Sequence, residues 1–234
     1  MKRVSVRDVQ ICAFSDMNNL IDNARPSVFI SIGGEAIVNN FSSLSEYSRM
    51  YTPYADGELA VCTLKKAGFQ DVEKIAGVSL WQKFLSRHND LKVVAIGGSE
   101  DVITEFRTQF SEYYPRHQLA FSRSGYFDDS ELNFLVEKIV SLKPNVVLLG
   151  MGQPLQEKIA HIFFCKHPAY YFCLGGSFDV FVGKVKRAPH LLIALKLEWF
   201  YRLVRQPTRL SRIYKLPFFY IKLILGFEKV RLIK

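Results

Sequence analysis

Four cysteines, Cys12, Cys62, Cys165 and Cys173, stand in a chain of 234 residues, and none forms a CxxC pair or a zinc-ligand spacing. That pattern excludes a disulfide scaffold and a zinc module and leaves reduced, mostly core thiols. GxGxxG is absent, and so is GxxxxGK followed by Ser or Thr, so neither the dinucleotide nor the P-loop fingerprint is met. There is no DxD to hold a divalent metal between diphosphate oxygens; adjacent Asp128-Asp129 comes nearest and suits a helix cap. His88, His117, His161, His167 and His190 show no ligand spacing. No window reaches the ~20 apolar residues of a spanning helix. The closest, LPFFYIKLILGF (216–227), is short and carries Lys222, so it can lie on a membrane but not cross it. The basic start, MKRVSVRDVQICAF, lacks the continuous apolar region of a signal peptide. Internal repeats, low-complexity tracts and Pro/Gly linkers are missing too.

What is present is the balance of a globular protein, with 49 % apolar and 23 % charged residues. The charge is unevenly placed. From Lys184 onward 13 lysines and arginines face two glutamates, net +11, whereas the first 183 residues hold 18 basic and 20 acidic residues, net −2. The basic end calls for an anionic partner and the body for none in particular.

Four apolar runs read as buried strands: SVFISIG (27–33), LKVVAIGG (91–98), NVVLLGMG (145–152) and YYFCLGG (170–176). Helical patterns lie between them, including GELAVCTLKKAG, VSLWQKFLSRH, a stretch Ser99 can cap, and one that Asp128 or Asp129 can open. VSVRDVQICAF alternates with period two, as an edge strand or hairpin does. Strands alternating with helices predict a Rossmann-like, mostly parallel sheet with helices on both faces. Ligands bind at the carboxyl ends of such strands. Here those ends carry Gly33-Gly34, Gly97-Gly98, Gly150/Gly152 and Gly175-Gly176, which are either tight turns or places where backbone approaches a phosphate or nucleotide.

Asp56, in PYADGELAV, is the first candidate carboxylate. It caps the helix that follows, or it serves as a general base on the rim of a cleft. Asp179, in GGSFDVFVGK, poses the same choice between a helix cap and a contact to a ribose hydroxyl or base N–H. Gln156-Glu157 open the helix after the third strand, where the carboxylate suits the dipole. In EWFYRLVRQPTRLSRIYK (198–215), arginines at 202, 205, 209 and 212 would share one face of a continuous helix, spanning about 80° at 100° per residue. Pro207 argues instead for two short helices meeting at Gln206-Pro207.

YADGELAV, IAGVSLWQKFL, SGYFDD, GMGQPLQEKI and the long GGSFDVFVGKVKRAPHLLIALKLEWFYRLVRQPTRLSRI together resemble the WecG/TagA/CpsF family, glycosyltransferase family 26, from about Ser27 to about Tyr214. The last motif, nearly forty residues in order, is the most specific. The resemblance implies an inverting, metal-independent enzyme that needs no cofactor. It would move a sugar of the N-acetylmannosamine, N-acetylmannosaminuronic acid or glucose type from a UDP-sugar to a saccharide on undecaprenyl diphosphate. The setting would be surface polysaccharide assembly, peripherally at the cytoplasmic face of the bacterial inner membrane. It implies a core over 1–190 and a helical, basic, aromatic-rich membrane-associating appendage over 191–234, with homo-oligomers common among members. Carried over by position, Asp56 is the base and Asp179 sits at the nucleotide. Gly150, Gly152, Gln156 and Glu157 belong to the donor motif, and Arg202, Arg209 and Arg212 to the diphosphates. The family's T-x-N falls on Ser31-Ile32-Gly33, which keeps the hydroxyl and loses the amide; Leu155 replaces the usual lysine. Other classes compete: a non-catalytic or differently specific relative, an NAD(P)-dependent oxidoreductase that lacks its fingerprint, and a nucleic-acid binder that the near-neutral body disfavours.

Overall fold

The four apolar runs become the four central strands of one sheet. The computed structural model describes residues 2–39, 42–186, 189, 192, 201 and 214–233. The first turn of chain is a hairpin, β1 (Arg3–Val6) and β2 (Val9–Cys12), closed by Arg7 and Asp8 at φ of 45° and 66°. Positive φ at both central residues gives the tight turn the twist that the flanking strands require. Six strands then form the main sheet: β3 (Ser27–Ile32), β4 (Thr52–Ala55), β5 (Lys92–Gly97), β6 (Gln118–Arg123), β7 (Val146–Gly150) and β8 (Tyr170–Cys173). Their order is β4-β3-β8-β7-β5-β6, and every neighbouring pair is parallel.

Alternation along each central strand feeds two cores. Val28, Ile30 and Ile32, with Val94, Ile96, Val147, Leu149, Tyr171 and Cys173, point to one face. There they meet α2 (Gly34–Asn39), α4 (Glu58–Lys66), α7 (Leu132–Leu142) and α8 (Leu155–Lys166). Phe29, Val93, Ala95, Val146, Leu148 and Phe172 point to the other, against α1 (Met17–Asp22), α5 (Gly77–Ser86), α6 (Glu100–Tyr113) and α9 (Ser177–Phe181). A period of two with both faces covered is why these strands read as unbroken apolar runs. A further helix, α3 (Ser42–Met50), lies beside β2 and α8.

Two strands of the main sheet escaped the sequence pattern, and both are edges. β4 reads TPYA, and Pro53, which cannot donate to a ladder, is tolerated because β4 pairs on one side only. β6 reads QLAFSR and is half-exposed along its length. Capping also differs from expectation in one place. Asp128 closes a capping box with Glu131 ahead of α7, but Ser99, at the start of α6, makes no side-chain cap bond.

Residues 214–233 fold back onto the core. They form α10 (Leu216–Ile224) and β9 (Val230–Ile233), and β9 pairs antiparallel with β1, from Arg3 opposite Ile233 to Val6 opposite Val230. Phe219 and Leu223 bury one side of α10, with 2 % and 0 % of their surface exposed. Arg7 pairs with Glu228 and lies over the Phe219 ring, 4.5 Å from its centroid. The Lys66 ammonium donates to the Leu223 carbonyl. The opposite side of α10 is apolar and uncovered among the described residues, with Phe218 70 % exposed beside Ile221, Ile224 and Leu225. No helix among the described residues is long and apolar enough to cross a membrane.

Candidate active site

The carboxyl ends of the parallel strands bring Ser31 and Asp56 together. β3 and β4 run in register, Ser31 opposite Tyr54, and the Asp56 N–H extends the ladder to the Ile32 carbonyl at 3.0 Å. Asp56 is thereby fixed at the rim by backbone pairing. Its Oδ2 accepts from the Ser31 hydroxyl at 3.0 Å and from the Gly77 N–H at 3.3 Å. Gly77 is the first residue of α5. Asp56 thus meets the N-terminus of α5, where the dipole favours negative charge. The N-cap of α4 is Gly57, at φ 150°. Glycine at 77 is a steric requirement, since a Cβ there would come within 2.8 Å of the Tyr54 hydroxyl and 3.3 Å of Asp56 Oδ2.

Tyr54 completes this corner. Its ring is fully buried, and its hydroxyl finds no hydrogen bond of good geometry among the described residues. Burial first, and the Asp56 charge second, push its pKa well above the usual phenol value, so it stays a neutral O–H beside the carboxylate.

A buried carboxyl ties three strand ends together beneath the rim. Glu157 Oε1 accepts from the side-chain amides of Gln153 at 3.1 Å and Gln156 at 2.9 Å. The Gln153 amide also donates to the Ser31 carbonyl at 2.7 Å, and Gln156 Oε1 accepts from the Gly175 N–H at 2.8 Å. One carboxyl therefore orients two glutamines that reach β3 on one side and the end of β8 on the other. Glu157 is wholly enclosed, and its Oε2 has no hydrogen-bond partner among the described residues. Burial raises its pKa to about 7, against the lowering effect of the Gln156 and Gln153 amides. Both Gln156 and Glu157 are buried; Gln156 reaches the Gly175 backbone directly, and Glu157 reaches the Ser31 carbonyl through Gln153.

The glycines at the rim divide into two kinds. Gly97 and Gly150 press on each other: a Cβ on Gly97 would lie 2.5 Å from the Gly150 backbone, and one on Gly150 would lie 3.0 Å from the Gly175 carbonyl. These are close strand-end packings, a use of glycine that neither of the two sequence readings, tight turns or ligand approach, includes. Gly33 likewise backs onto the Asp56 carbonyl, 3.1 Å from an added Cβ. Gly152 and Gly175 differ, with φ of 81° and 54° and nothing among the described residues within 4 Å of a Cβ. They border open space at the ends of β7 and β8. Asp179 follows in α9, half-buried, and is not that helix's N-cap, which is Gly176 with no side-chain cap bond. Leu155, the residue in place of the lysine, is exposed at the first position of α8. Arg202, Arg209 and Arg212, with Arg205 and Pro207, lie outside the described residues. Among the described residues no group of three His, Cys, Asp or Glu side chains could hold a metal ion.

Sequence reasoning missed Tyr54, Gln153 and Gly77. Gln153 stood in the quoted GMGQPLQEKI and Tyr54 in YADGELAV, one and two residues from the chosen Gly152 and Asp56. Only the fold shows that they converge on Ser31 and Asp56. The family model described as Glycosyl transferase WecG/TagA/CpsF family matches residues 10–231, nearly the whole chain.

Proposed function

The chain belongs to this glycosyl transferase family, and on that premise we propose that it transfers a sugar from UDP to a saccharide carried on undecaprenyl diphosphate. The sugar is of the N-acetylmannosamine, N-acetylmannosaminuronic acid or glucose type. The reaction inverts the anomeric centre, uses no divalent metal, and runs at the cytoplasmic face of the bacterial inner membrane during surface polysaccharide assembly. The observation that carries this reading is the Asp56 carboxylate at the strand-end rim, oriented by the Ser31 hydroxyl and the Gly77 N–H.

In the proposed step an acceptor hydroxyl gives its proton to Asp56 as its oxygen attacks the anomeric carbon. The bond from that carbon to the UDP oxygen breaks, and UDP leaves with the electron pair. Ser31 and Gly77 hold the carboxylate in one orientation, so no rotamer search precedes proton transfer. Gly152 and Gly175 leave room for the donor, and Asp179 lies along the same rim for the nucleotide. Gly33, where the family has an asparagine, brings no amide side chain to the acceptor side and packs on the Asp56 carbonyl. Arg202, Arg209 and Arg212 would carry the growing negative charge of the leaving diphosphate; fixed cations lower that barrier without reorganisation at the moment of reaction. Gln156 and Glu157 position Ser31 and Gly175. Residues 191–234 form the membrane-facing part in this reading, although 214–233 also pack on the core.

A thermal-shift panel of UDP-sugars, followed by turnover with a short-chain undecaprenyl-diphosphate acceptor, tests the proposal. One UDP-sugar of the three types should stabilise the protein and be consumed only when the acceptor is present. Stabilisation by nicotinamide cofactors and none by UDP compounds would overturn it.

A further inference from the structure

The folded-back end of the chain shapes a cavity of its own. About 240 Å³ in volume, it lies between α10, the turn of the β1–β2 hairpin and α2, and is lined by Arg7, Val38, Lys215, Phe218, Phe219 and Lys222. Four of these six stand at 215, 218, 219 and 222, the i, i+3, i+4, i+7 stripe of one helix face. Seven residues of helix set the two lysines about 10 Å apart along the axis. Arg7 is matched by Glu228. Among the described residues no carboxylate pairs with Lys215 or Lys222, and Lys215 lies over the Tyr214 ring, 5.5 Å from its centroid. The cavity therefore keeps positive charge above a floor of valine and phenylalanine.

Rotation around α10 says what such a cavity suits. Taking Lys215 as zero and 100° per residue, the buried Phe219 and Leu223 fall at about 40° and 80°. The lysines fall near 0° and 340°, and the exposed Phe218, Ile221, Leu225 and Ile224 run from about 300° down to 180°. Lys215 and Lys222 thus stand at the border between the core-facing side and a broad uncovered apolar side. That is where a helix lying in a bilayer surface places its cations, at headgroup height with the apolar arc in the acyl region. A soluble anion would meet the same lysines but leave Phe218, Ile221, Leu225 and Phe227 in water.

We propose that this cavity seats the phosphodiester headgroup of an anionic phospholipid, with Lys215 and Lys222 at the phosphate oxygens and the neighbouring apolar side chains of α10 among the acyl chains. The proposal rests on the membrane-facing reading given above and adds a defined site to it.

Flotation of the full chain with vesicles at constant ionic strength tests it. The wild type should float with phosphatidylglycerol vesicles and not with pure phosphatidylcholine. Lys215→Gln/Lys222→Gln should lower partitioning about 30-fold, from about 1 kcal/mol per surface cation. The control Lys138→Gln/Lys166→Gln, with the same charge change, should stay within about threefold. A lysine pair variant that floats like the wild type, or a control that loses as much, overturns the cavity while leaving membrane attachment intact. A wild type that does not float overturns both readings. Phe218→Trp adds a reporter that does not depend on the lysine variants: brominated phosphatidylglycerol bilayers should quench it. If soluble glycerol phosphate moves its emission and bilayers do not, the site takes free phosphate and the lipid assignment fails.

Discussion

The strand-end rim and the folded-back segment 214–233 are built in opposite ways. At the rim, polar groups are enclosed and held: Glu157 gathers Gln153 and Gln156, and Ser31 and Gly77 hold Asp56. In segment 214–233 one apolar pair, Phe219 and Leu223, holds the helix down, while large apolar side chains and two lysines face outward. The first arrangement fixes geometry, which chemistry needs. The second keeps a sticky surface in place, which contact with another phase needs. Damage to the rim should therefore appear as lost turnover, and damage to α10 as lost stability or lost attachment according to which side is struck.

The largest effect should come from Asp56→Ala. It should lower transfer by about 10³-fold, the middle of the range for general-base removal, with UDP affinity within threefold by calorimetry. Next comes Phe219→Ala, which should cost about 3–5 kcal/mol in denaturant unfolding, as for other fully buried phenylalanines. A loss under about 1 kcal/mol would mean that α10 is not docked as described.

Glu157 gives a pH signature of similar size. Its pKa is raised to about 7 in the folded protein from an ordinary carboxyl value of 4.5. The folded state thus holds a proton that the unfolded state has released, so stability falls as pH rises from about 4.5 to 7 and then levels. Over the whole window the loss is roughly 3 kcal/mol. In Glu157→Gln this component should vanish, so the difference in melting behaviour between variant and wild type should shift in the variant's favour from pH 5 to pH 8. Parallel curves would mean that the carboxyl is ionised throughout. Smaller again, Ser31→Ala should lower turnover about 10-fold through a loosened Asp56, with Ser31→Thr restoring most of it. Smallest of all, Phe218→Ser should change stability by less than about 0.5 kcal/mol and still weaken vesicle binding.

The same contrast governs what the sequence disclosed. The central strands β3, β5, β7 and β8 are covered on both faces, so each announced itself as an apolar run. The edges β4 and β6 pair on one side, and Pro53 and the polar ends of QLAFSR hid them. β9, VRLI, gains its meaning only from β1 at the other end of the chain. At the site, Asp56 drew notice as a carboxylate before Gly57 and a helical stretch, and Ser31 by resemblance alone. One partner of Asp56 was not legible: adjacency in sequence offered only α4, whereas the fold brings the first N–H of α5 to it from 21 residues away. Gln153 and Tyr54 carry no local pattern, and their convergence depends on a six-strand order that no window of sequence contains. Glu157 was legible as a helix-opening carboxylate but not as a buried one.

The configuration of the product tests the central claim most directly. If Asp56 takes a proton from the acceptor while its oxygen displaces UDP in one step, NMR of the anomeric centre must show inversion relative to the UDP-sugar from the first turnover. A product that retains the donor's configuration would contradict the account, since retention calls for a route other than a single displacement assisted by a base at Asp56.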